Sequence, residues 1–129
     1  MSKSPCPMER PILTSTFSCK QAEKYLIAFR EGIYCKHATA HMNCQALSQL
    51  LRKNAQFALQ LPSDDREIPH GKDLKLKCGG LTALMECLDT TDNDIHSLVS
   101  QAMTTYKSLE NLPFSEMITT IQHYKIRGK

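Results

Sequence analysis

Apolar residues recur at intervals of three and four along most of the chain, the spacing that lines one face of an α-helix. Ala22, Tyr25, Leu26, Phe29 and Ile33 form the first such stripe, and Ser18 and Gln21 ahead of it have capping-box spacing. Gly32 stands where that helix would end. A second and longest helix is predicted from Ala38 to Leu61, with Cys44, Leu47, Leu50, Leu51, Ala55, Ala58 and Leu61 on its inner face. Phe57 widens that face, and Pro62 stops the helix.

Helical periodicity then lapses, and residues 62–80 are predicted to form a long loop. Within it, residues 72–78 alternate, with Leu74, Leu76 and Cys78 on one side and Lys75 and Lys77 on the other. A period of two is that of a short edge strand, which needs Pro11–Thr14 or a second subunit's copy of itself as a partner. Gly79 and Gly80 read as a break before a short third helix carrying Leu81, Leu84, Met85 and Leu88. Thr91 and Asp94 again have capping-box-like spacing and open a fourth helix, whose stripe is Ile95, Leu98, Val99, Ala102, Met103, Tyr106 and Leu109. Beyond Pro113, a fifth is marked by Phe114, Met117, Ile118, Ile121 and Tyr124. Residues 1–13, proline-rich with little to bury, read as a loose N-terminal arm. The expected fold is mainly α: a single domain over 1–129, a compact bundle of about five helices, and a long loop with one edge strand.

Composition narrows the class. With 41% hydrophobic residues and a net charge of only +3, the chain is neither a disordered tail nor basic enough to argue for nucleic acid. The longest wholly apolar run, Tyr25–Phe29, is far short of the ~20 residues that span a bilayer, so no membrane partner is expected. No apolar leader follows Met1, and the expectation is a cytoplasmic protein with reduced thiols.

Six cysteines carry the candidate chemistry. Cys35–Cys44 and Cys78–Cys87 share the pattern C-x3-T-A-x-M-x-C, a suggestion of an internal repeat. Nine residues of helix span about 13.5 Å, whereas disulfide partners have Cα atoms within roughly 7 Å, so bridges would run between the pairs. Cys35, His37, His41 and Cys44 offer a donor set suited to zinc, and Cys35, Cys44, Cys78 and Cys87 are the alternative set. The plainer reading makes Cys44 a core residue and the histidines solvated. Lys75 and Lys77 beside Cys78 are a local argument for a reactive thiolate, with His70 as its nearest base.

Thr119, Thr120, Gln122, His123, Lys125, Arg127 and Lys129 place polar and basic groups on the last helix, where a helix-turn-helix would read DNA. Asp64, Asp65 and Glu67, with Arg66 between them, read as a solvated turn. No phosphate-binding loop or nucleophile elbow is present. The expected function is therefore non-catalytic: an adaptor, regulator or small subunit that contacts another protein or itself through Leu74, Lys75, Leu76 and Lys77. The alternatives are a metal-binding or redox-responsive module, with zinc as its cofactor, and DNA binding through the C-terminal helix.

Overall fold

The stripes predicted at 38–61, 95–109 and 114–124 each become a helix. In a computed structural model that describes residues 6–14, 16–27, 30–61 and 68–125, the elements are α1 (Glu9–Leu13), β1 (Ala22–Ile27), β2 (Arg30–Cys35), α2 (Ala38–Leu59), α3 (His70–Leu88), α4 (Ile95–Tyr106) and α5 (Phe114–His123). A single 3-10 turn, Leu109–Asn111, precedes α5. The fold is mainly helical, with five α-helices and one two-stranded antiparallel sheet among the described residues. His37 caps α2, its Nδ1 accepting the Ala40 N–H, and Gln60 ends the helix in the left-handed conformation.

Two segments fold differently from their periodicity. Strands β1 and β2 pair antiparallel where a first helix was expected, with Ala22 opposite Cys35 and Tyr25 opposite Gly32, and Phe29 of the predicted stripe lies outside the described residues. Ser18 caps no helix; it forms an isolated bridge with Asp94, and its carbonyl accepts the Ile95 N–H. The helical spacing of Tyr25, Leu26 and Ile33 competes with their β preference, since aromatic and β-branched side chains suit a pleated surface. Ile33 is fully buried and faces the core, while Tyr25 lies across the strand over Gly32. A Cβ at Gly32 would collide with the Tyr25 ring, so this glycine is a cross-strand seat for an aromatic rather than a helix end.

The second difference is larger. Residues 72–78 are helical, because α3 runs unbroken from His70 through the two glycines to Leu88. Their alternation has a geometric origin. Helix α3 is central, contacting α1, α2, α4 and α5, so Asp73, Leu74, Leu76, Cys78 and Leu81 are all buried although they face different neighbours. Gly79 and Gly80 do not break the chain; they let other backbones come close. A Cβ on Gly79 would lie 2.9 Å from the Ile121 Cα of α5, and one on Gly80 would lie 2.6 Å from Leu51 Cδ1 of α2. The predicted loop therefore shrinks to the connection before His70, within which residues 62–67, including Asp64, Asp65 and Glu67, lie outside the described residues.

The expected loose arm is also docked where it is described. Met8 is fully buried and Cys6 and Pro11 are buried beside it. Polar contacts hold it in place: the Ile33 N–H donates to Glu9 Oε2 at 2.8 Å, and the Cys6 N–H donates to the Ile33 carbonyl at 2.8 Å. On the other side Arg10 pairs with Asp73 at 3.1 Å, and Lys77, one turn along α3, pairs with the same carboxylate at 3.4 Å. Asp73 is 8% exposed, so this shared pairing is what allows a carboxylate to sit in the wall of the core.

The glycine contacts make opposite predictions at two sites on one helix. Gly79→Ala should lower stability by about 1–2 kcal/mol, because overpacking costs about 1–3 kcal/mol and outweighs the better helix propensity of alanine. Gly71→Ala, with no atom within 4 Å of the added methyl, should raise it by about 0.5–1 kcal/mol. Urea denaturation of the two variants checks both signs.

Candidate functional site

Four of the six cysteines converge where the N-terminal segment, the hairpin and α2 meet. Cys35 ends β2, and its cross-strand partner Ala22 donates its N–H to the Cys19 carbonyl, which brings residue 19 to the same end of the hairpin. Cys6 is tied to this strand through its hydrogen bond to Ile33, whose side of the strand Cys35 shares. Cys44 lies two turns into α2 on the inner face and belongs to the same core cluster as Cys6 and Ile33. Cys35 Sγ donates to the His37 carbonyl at 3.2 Å, and the His37 ring stands 6.3 Å from that of His96 on α4. A cavity of about 320 Å³, lined by Ile12, Phe17, Cys19, Ala22 and Ile33 among others, opens beside the cluster.

The electrostatics of the thiols reflect that proximity. Burial pushes Cys6 from the usual 9.0 up to about 11; the backbone of Met8 opposes the shift by a hydrogen bond, and Cys19, Cys35 and Glu9 add to it. Burial likewise pushes Cys44 up to about 12, with Cys6, Cys19 and Cys35 each contributing. Cys19 is also raised, chiefly by burial and in part by Asp94 and Cys35, against hydrogen bonds from the Gln21 and His96 backbones. A thiolate formed at any one of these positions is disfavoured both by desolvation and by its neighbours.

The predicted ligand sets are divided by this geometry. Cys35 and Cys44 meet Cys6 and Cys19, two residues that pattern reading left in the arm and ahead of the first stripe. Cys78 and Cys87 stand elsewhere, Cys78 beside Thr16, Asp73 and Tyr124, and Cys87 beside Glu86, Tyr106 and Glu116. His37 uses its Nδ1 to cap α2, and His41 lies one turn further along that helix. As they stand, no three His, Cys, Asp or Glu side chains among the described residues gather as ligands of one metal ion. The local argument for a reactive thiolate at Cys78 also loses its basis. Cys78 lies in the middle of α3 rather than at a helix start, it is 1% exposed, and burial raises its pKa.

The predicted partner surface does not form. Leu74 and Leu76 are core residues of α3, and Lys75 and Lys77 flank them on a helix, with Lys77 engaged by Asp73. An exposed apolar surface occurs on α2 instead. Phe57, expected to widen the inner face, is 93% exposed, and Met42 is 66% exposed. Met42, Ala46, Leu50, Lys53 and Phe57 fall within an arc of about 100° on the outer side of the helix. Against this face runs a groove of about 460 Å³ between α2 and the end of α4, whose walls include Ala46, Leu50, Lys53, Met103, Lys107 and Leu109.

In α5, Met117 and Ile121 pack inward and Thr120 donates to Glu86 at 2.8 Å, while Thr119, Gln122, His123 and Lys125 are exposed. Arg127 and Lys129 lie outside the described residues. No helix among the described residues is long and apolar enough to cross a membrane.

The buried thiols predict a pH dependence for the reduced, metal-free chain. The folded state holds the Cys6 and Cys44 protons more tightly than the unfolded chain does. Their contribution is intact below pH 9.0, where the unfolded thiols are also protonated, and is lost as the pH rises towards 11 and 12. Stability measured by urea denaturation should fall over that window, and fall less steeply in Cys44→Ala.

No family model, no curated protein and no solved structure matches the chain.

Proposed function

We propose that the protein is a non-catalytic interaction module whose partner docks on the outer face of α2. The observation that carries this reading is Phe57, an aromatic side chain left almost wholly in water in the last turn of a long helix. A single exposed apolar residue is ordinary. Here Met42, Ala46 and Leu50 continue the same stripe, and the groove beside it gives the stripe depth. Rigid aromatic and flexible methionine side chains on one helix face are the usual anchors of a helix-in-groove contact.

Charge narrows the partner. Helix α2 contains no Asp or Glu but carries Arg52 and Lys53, and Lys107 adds a second lysine to the groove, with Glu110 as its one acidic wall residue. A segment that presents an apolar helical face bordered by carboxylates satisfies both features. Buried aromatic anchors dominate such contacts, while rim charges set the salt dependence and the rate of encounter.

Affinity capture with the whole chain, followed by titration of the purified partner segment, tests the proposal. Phe57→Ser should weaken binding at least tenfold and Lys53→Glu should weaken it and reverse its salt dependence, with helicity and melting temperature unchanged in both. A partner that binds the Phe57→Ser chain as tightly as the original, or a captured segment without acidic residues, overturns it. Self-association through the same stripe, read as a dimer mass lost in Phe57→Ser, also replaces the acidic partner by a second copy.

A further inference from the structure

We propose that the free edge of β1 takes up an extended peptide as a third strand. The peptide carries a carboxylate opposite Lys24 and, two positions later, an aliphatic side chain that enters the cavity beside Ala22. This site goes beyond the docking reading and does not depend on it, because among the described elements β1 packs only on β2 and makes no contact with α2.

The ladder itself shows which backbone groups are unused. The Lys36 N–H donates to the Gln21 carbonyl at 2.8 Å, and these two residues continue the register of β1 on β2 by one step. Hydrogen-bonded pairs alternate with non-bonded pairs along an antiparallel ladder. Glu23–Tyr34 and Tyr25–Gly32 are therefore the bonded pairs, and Lys24 and Leu26 turn their N–H and C=O groups away from β2. On β2 the outward groups of Ile33, the partner of Lys24, are both used: its N–H donates to Glu9 Oε2, and its carbonyl accepts the Cys6 N–H. The edge of β1 has no such cover. Among the described residues neither Lys24 nor Leu26 makes a backbone hydrogen bond outside the sheet, and the Leu26 side chain is 68% exposed. A row of unpaired groups on a sheet edge is a template for a further strand, and a two-stranded sheet gains stability from a third.

The side chains at that edge select the occupant. Lys24 and Ile33 are cross-strand partners, so they share the inner face of the hairpin, which alternation extends to Ala22 and Leu26. Ala22, Lys24 and Ile33 line one side of the cavity of about 320 Å³, with Ile12 and Phe17 also in its wall. A strand added to β1 projects every second side chain over this cavity. The apolar part of the wall suits an aliphatic side chain. Among the described residues Lys24 is the one charged group in the wall, and it takes part in no ion pair. A carboxylate directly opposite it on the incoming strand meets that ammonium as a cross-strand pair. Antiparallel addition, the more stable of the two pairings, places the residue opposite Ala22 two positions after the one opposite Lys24. A second copy of β1 lacks the complement, since its inner-face residues are Ala22, Lys24 and Leu26, none of them acidic.

The test is an NMR titration of the full chain with the acetylated, amidated peptide Ser-Val-Thr-Glu-Thr-Ile-Thr-Ser, which sets valine against Leu26, glutamate against Lys24 and isoleucine against Ala22. The Lys24 and Leu26 amides should exchange readily with solvent in the free chain, and should shift and become protected on binding. N-methylation at the glutamate, whose N–H points at β1, should abolish binding, whereas N-methylation at the threonine after it, whose N–H points away, should be tolerated. Lys24→Glu should weaken binding at least tenfold and restore it for the peptide with lysine in place of glutamate, a rescue that an unfolded variant cannot give. Phe57→Ser should bind as the original does, which separates this edge from the outer face of α2. Four results overturn the proposal: no shift of the Lys24 and Leu26 amides at millimolar peptide, equal tolerance of the two N-methylations, loss of peptide binding in Phe57→Ser, or protection of the two amides in the free chain that disappears on dilution. The last would make a second copy the third strand.

Discussion

The close crossing of α3 with α5 and α2 is the constraint on which the architecture depends. Without side chains at Gly79 and Gly80, the α3 backbone approaches Ile121 and Leu51 more closely than any Cβ would permit. That approach places one helix at the centre of the fold, with α1, α2, α4 and α5 around it. A central helix is buried on several sides at once, and it therefore carries Leu74, Leu76, Cys78, Leu81, Ala83 and Leu84 with no polar face of ordinary width. The glycines cost helix propensity of about 1 kcal/mol each, and the packing they admit along two interfaces offsets it.

The rest of the molecule is attached to that centre by polar contacts as much as by apolar ones. Arg10 reaches Asp73 on α3, Glu9 receives the Ile33 N–H of β2, and the Asp94 carboxylate receives both the Ser97 N–H of α4 and the Lys20 N–H. Each such bond is individually worth only about 0.5–1.5 kcal/mol, more where a charge takes part.

Helix α2 has one face in the core and one in water. Its inner face, through Cys44, Leu47, Leu51, Ala55 and Leu59, faces the core, and its outer face exposes Met42 and Phe57 above the groove. A contact on one side need not disturb the other, since the helix between them is continuous over 22 residues.

Much of the helical architecture is legible in the order of residues. The period of 3.6 identifies α2, α4 and α5 because each buries one stripe, and for α4 the local chemistry of Asp94 marks its start, though as the cap itself rather than as the end of a box opened by Thr91. Where burial is not one-sided, the period misleads. In α3 the core surrounds the helix, and a strand-like alternation at 72–78 is what remains of a pattern with no exposed face. In the hairpin, a helical stripe and β-forming side chains coexist, and pairing of β1 with β2 over Gly32 decides between them. Phe57 could be assigned inward from its type, but only the neighbours of α2 determine which arc is covered. The cysteines follow the same division. Their number and softness are properties of the sequence, and so is the pairing of Cys35 with Cys44. That Cys6 and Cys19 join them, while Cys78 and Cys87 do not, was decided by the tertiary structure alone, because proximity between segments far apart in the chain is set by how the arm and hairpin dock and leaves no local period to read.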